Sequence, residues 1–115
     1  MHVLELELRL AILDMIIYSV TIYINKDVEK EWLDWMKKIH IQDIIDTGHF
    51  NSYKIYKVVV PAHSSDETAY CIQYDCKSMK DYTLYLEKHA SRLQREHTIK
   101  FQNKVKAARA VMEEI

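Results

Sequence analysis

Imidazole side chains exchange a proton near neutral pH and also ligate metals, so the six histidines are the residues of this chain with the most chemistry to offer. His40, His89 and His97 fall within or at the ends of helical stretches. His89 and His97 stand eight positions apart. That is about 12 Å along a helix axis, whereas helical metal pairs use offsets of three or four. A structural or solvent-facing role is the reading for these residues, and no metal is expected. His40 follows the run Trp32, Trp35 and Met36 at the end of the first helix, where a cationic imidazole is favoured by the helix terminus. Two readings of it stay open. It is a C-cap, or the helix end opens onto the sheet and His40 lines a small pocket with Tyr18, Trp35, Tyr74 and His97. In that pocket imidazole would serve as acid or base and the tyrosines would orient a ligand. Ordinary aromatic core packing is the alternative, and no residue is assigned a catalytic role. Glu29, Glu31, Glu87 and Glu96 sit on helices among lysines and arginines, as a solvated face would have them.

Other chemistries are excluded by what the sequence lacks. The chain has one glycine, and phosphate-cradling loops and nucleophile elbows need residues without a Cβ at several fixed places. HExxH, CxxC and GxSxG are also missing. No cofactor is expected. Cys71 and Cys76 fall in one strand at an odd offset, so their side chains point to opposite faces. Their Cα atoms would lie roughly 17 Å apart against a disulfide limit near 7 Å, and both read as reduced thiols.

Composition bounds the rest. At 115 residues, 49% apolar and 29% charged, the chain has the balance of one globular domain, and a net charge of -1 gives no electrostatic reason to bind polyphosphate or an anionic membrane. Asp14 breaks the one long apolar candidate, Leu10 to Val20, so no membrane span is expected. Met1 to Asp14 lacks a basic start and carries Glu5 and Glu7 where a signal peptide needs an apolar core, so a cytoplasmic protein is expected.

The elements that must position the pocket follow from periodicity. Ile16, Tyr18, Val20, Ile22 and Ile24 alternate with more polar residues, which predicts a strand from Met15 to Ile24 with its even face toward helices. Asp27 is the expected N-cap of a first helix whose stripe is Val28, Trp32, Trp35, Met36 and Ile39. A short second helical turn, Ile41 to Thr47, stops at Gly48. Phe50 to Val60 reads as a strand ended by Pro61, and Thr68 to Cys76 as its hairpin partner. Ser78 with Asp81 resembles a capping box for a helix whose stripe is Met79, Tyr82, Leu86, Ala90, Leu93 and Phe101. Val105 to Met112 supplies a last strand, weakened by three alanines. Residues 1–14, with Leu4, Leu6, Leu8 and Leu10 alternating with charge, have no slot in this pattern: they are an extension from an upstream start codon, an added edge strand, or a segment that pairs with another chain.

The order β-α-β-β-α-β puts two helices on one face of a four-stranded antiparallel sheet and leaves the other face bare. Ile17, Tyr23 and one of the Tyr53/Ile55 and Tyr56/Val58 sets place apolar surface there, which predicts a homodimer with the sheets facing each other and a lumen for a small apolar ligand. RNA-recognition modules share this order. Their basic, glycine-containing third-strand motif is absent, so nucleic acid is not an expected partner although Tyr70 and Tyr74 share a face.

The blocks Trp32-Leu33-Asp34-Trp35-Met36, His40-Ile41 and Thr47-Gly48-His49-Phe50, then Tyr74, Cys76, Tyr82 to His89, and Leu93-x-x-Glu96-His97 with Phe101, resemble a bacterial family known as a domain of unknown function, number 4286. The likeness covers about residues 15–115, and Gln42 stands where the family pattern has proline. It implies an α+β, ferredoxin-like fold of the dimeric α/β-barrel type, and no activity. Two functions follow as expectations: a homodimeric ligand-binding or structural module without catalysis, or a small cofactor-free enzyme, isomerase- or monooxygenase-like, with His40 or His97 as proton carrier.

Overall fold

The computed structural model describes residues 15–115 except His63, so the expectations for residues 1–14 lie outside the described residues. Strand β1 (Ile16–Asn25) leads through a 3₁₀ turn, Lys26–Val28, into helix α1, which runs as an α-helical segment Glu29–Trp35, a π-helical turn Met36–His40 and a second α-helical segment Ile41–Asp46. Strands β2 (Phe50–Lys57) and β3 (Glu67–Cys76) follow. Helix α2 repeats the design of α1, with α-helical Met79–Tyr85, a π turn Leu86–Ala90 and α-helical Ser91–Lys100. Strand β4 (Val105–Glu113) closes the chain.

The four strands form one antiparallel sheet in the order β2-β3-β1-β4. This is the ferredoxin-like βαββαβ arrangement. In register, Tyr18 faces Tyr74 of β3 and Val111 of β4, and Val20 faces Ile72 and Arg109. The side-chain period of two then puts the even residues of β1 and β3 on one face, and they are buried. Helices α1 and α2 cover that face through Trp32, Met36, Ile41 and Ile44 and through Tyr85, Ala90 and Leu93. Tyr70 and Tyr74 lie under the helices, where no base could stack on them.

Both helices depart from regular α periodicity at the same place, midway. A π turn bonds each N–H five residues back and takes one extra residue per turn, so the buried stripe slips by one position. In α1 the bond runs from the Ile41 N–H to the Met36 carbonyl. The expected stripe member Ile39 is therefore 49% exposed, while His40 is 6% exposed and Ile41 is buried. In α2 the slip buries Tyr85 and exposes Leu86. Because α1 continues through the π turn, His40 is no C-cap, and Ile41 begins no separate turn. The chain does stop at Gly48, which takes φ +86°. At the other end Asn25, not Asp27, provides the cap, its Oδ1 accepting from the Asp27 N–H at 2.9 Å. Ser78 caps α2 as its spacing implied, accepting from the Asp81 N–H at 3.1 Å.

Strand β2 ends at Lys57, three residues before the expected Val60. Val58 still donates to the Ala69 carbonyl at 2.9 Å, but Val59 and Val60 swing out into solvent. Cys71 and Cys76 are both free and lie on opposite faces of β3, with Cys76 buried beneath α2. The open face of the sheet is mixed in character. Ile17, Tyr23, Tyr56 and Met112 are at least partly exposed on it, while Ser19, Thr21, Gln73, Asp75 and Lys54 lie between them. It is thus less apolar than expected, and its centre is built of small side chains.

Candidate functional site

Where the two helices meet the sheet, four of the five residues singled out from the sequence converge. Tyr18, His40, Tyr74 and His97 line a cavity of about 30 Å³ together with Met36, Tyr85, Gln94 and Arg109. A cavity of that size holds only one or a few water-sized groups. Among the lining residues only Gln94 and Arg109 have substantial exposure, so the mouth lies between α2 and the edge strand β4. Trp35 stands behind the cavity and does not line it. Its indole stacks on His40 with ring centroids 4.7 Å apart and on His97 at 5.9 Å, which holds the two imidazoles against each other at 5.5 Å. His89 is brought elsewhere: its ring lies 5.6 Å from His49, whose Nδ1 is 3.1 Å from Asp81 at the head of α2. No group of three metal-ligating side chains exists among the described residues.

The π turn of α1 aims His40 inward. A regular helix would have carried its Cβ round toward solvent and presented Ile39 instead. The His40 Nδ1 is buried and has no hydrogen-bond partner among the described residues. His97, one turn from Leu93 and one from Phe101 on the regular part of α2, accepts the Trp32 indole N–H at Nε2 over 2.9 Å. A nitrogen that accepts must hold its lone pair, so the His97 proton sits on Nδ1 and the ring is neutral.

Electrostatics agree with that assignment. Burial, then His97, then the cation of Arg109 push His40 down from the ordinary histidine value near 6.5 to about 3. Burial and Arg109 push His97 down to about 4. Both rings are uncharged at neutral pH. Tyr18 and Tyr85 are pushed the other way by burial, above the ordinary phenol value. The cavity is therefore lined by neutral histidines and protonated phenols, with one fixed positive charge at its mouth and no carboxylate in its wall.

Arg109 was not singled out from the sequence. It comes from β4, opposite Val20 on the helix-facing parity, and lines the cavity beside Tyr18. One signal was there to be read: in the stretch Ala107, Ala108, Arg109, Ala110, Val111 a charged residue shares the parity of Val105 and Val111 and so points toward the core. Gln94 and Tyr85 carried no such signal, because the slip at the second π turn decides which residues of α2 face the sheet.

Chains of known structure share this fold at low sequence identity. A dimeric ferredoxin-like protein from an uncultured marine organism matches with a TM-score of 0.63 at 10% identity, over 89% of this chain and 96% of the other. SnoaB, a cofactor-independent oxygenase from Streptomyces nogalater, matches with a TM-score of 0.63 at 8% identity, over 89% and 94%. A conserved protein of unknown function from Bacteroides thetaiotaomicron matches with a TM-score of 0.63 at 13% identity, over 89% and 99%. Identities this low speak for the fold alone. No curated protein matches in sequence. A family model does match, over residues 15–115, and the chain accordingly belongs to the family described as a domain of unknown function, DUF4286.

Proposed function

We propose that this protein is a cytoplasmic homodimer that takes a small molecule into the cavity between α1, α2 and the sheet. The observation that carries this reading is the convergence of Tyr18, His40, Tyr74, His97 and Arg109 on one cavity whose wall combines aromatic surface with a few polar groups. Pairing through the sheet is supported by the dimeric ferredoxin-like neighbour and by the half-exposed Ile17, Tyr56 and Met112 on the uncovered face. The free thiols Cys71 and Cys76 suit a reducing compartment. The test is a fragment screen read by ¹H–¹⁵N NMR of the imidazole nitrogens. Fragments should shift the His40 ring signals in the native protein and not bind a folded His40→Leu variant. A library that leaves those signals unmoved would remove the reading.

A second reading is a cofactor-free acid–base enzyme, and it has its own observation. Arg109 lines the cavity that His40 and His97 share, where negative charge left on a substrate would develop. The similarity to a cofactor-independent oxygenase is of the same kind. Deuterium exchange into the acidic C–H of acetylacetone in D₂O should run faster with the native protein than with His40→Gln; equal rates would count against catalysis.

A further inference from the structure

We propose that the ligand is a small oxyanion, a carboxylate or an enolate, received at the mouth of the cavity by Arg109 and the Tyr18 hydroxyl; this rests on reading the cavity as a small-molecule site. Arg109 is the single full charge in the cavity lining, and among the described residues no carboxylate pairs with it. An arginine at the mouth of an aromatic-walled cavity, with no carboxylate paired to it among the described residues, is a ready partner for a planar two-oxygen anion, which its guanidinium can grip with two parallel N–H groups.

Tyr18 lines the same cavity beside Arg109 and Gln94. Burial keeps its hydroxyl protonated at neutral pH, so it has an O–H proton to give. The cavity thus presents the Arg109 guanidinium, the Tyr18 O–H and the His97 Nδ1–H, all donors, on three different elements.

Formate and acetate, with formamide and acetamide as neutral partners of the same shape, test this by NMR titration of the native protein. The carboxylates should bind about tenfold or more tightly than the amides, the usual margin of a charge-assisted hydrogen bond. Arg109→Gln should erase that margin, while Arg109→Lys should keep most of it. The side chain is exposed on an edge strand, so both variants should fold. Amides that bind the native protein as well as the acids overturn the oxyanion assignment and leave the small-molecule site standing. If none of the four moves the His40 or His97 signals, both the assignment and the site fall.

Discussion

At the scale of single residues, the cavity is a stability cost carried in the open. His40 is 6% exposed with an unsatisfied Nδ1, so an apolar side chain of similar size should fit better than the native one. His40→Leu is expected to raise the free energy of unfolding by about 1 kcal/mol in urea titrations while abolishing ligand binding. Loss of stability in this variant would mean that Nδ1 has a partner. Trp32→Phe should do the opposite. It removes the indole donor and strands the His97 Nε2, at a cost of about 1–3 kcal/mol beyond the small change in packing.

The same two histidines set the acid limb of stability. Their folded values, about 3 and about 4, lie below the ordinary 6.5 of the unfolded chain. Between those limits the unfolded state binds more protons, so stability is fully present above pH 6.5 and drains away as pH falls toward 3. Urea midpoints should therefore drop steadily from pH 7 to pH 4.5, by the equivalent of roughly a few kcal/mol. His40→Leu should show a shallower drop, because one of the two groups has gone.

At the scale of elements, the two π turns decide which side chains face the sheet. Ile39 and Leu86 belong to the apolar stripes that α periodicity implies, yet both are exposed, and Ile41 and Tyr85 are buried in their place. Ile39→Lys should change stability by no more than about 0.5 kcal/mol, whereas Ile41→Ala should cost about 2–5 kcal/mol. A helix with regular spacing at this point would reverse the order of those two results. Strand alternation, by contrast, was legible throughout β1 and β3, because a period of two follows from the backbone of an extended chain whatever packs on it. The expected end of β2 at Val60 differs from its observed end at Lys57 for a related reason. β-propensity continues through Val58, Val59 and Val60, but a strand lasts only as long as its partner stays alongside.

At the scale of the molecule, the described helices cover one face of the sheet, and the proposed dimer uses the other. Small side chains at its centre, Ser19, Thr21 and Cys71, would let a second sheet approach closely. Light scattering should return twice the chain mass for the native protein, and Thr21→Lys, which sets a charge in the middle of that face, should return the single mass with an unchanged far-ultraviolet spectrum.

The sequence by itself determined the order of strands and helices, the inward parity of β1 and β3, the capping serine of α2 and the family blocks. It also brought Tyr18, Trp35, His40, Tyr74 and His97 under suspicion. These are consequences of covalent geometry and of which residue types tolerate water. Only the tertiary structure decided that His40 turns inward, that Trp35 backs the cavity without lining it, and that Arg109 reaches Tyr18 from the last strand. A π turn and an α turn differ little in local energy, so packing chooses between them, and a contact between β4 and β1 exists only once the whole sheet has closed around the helices.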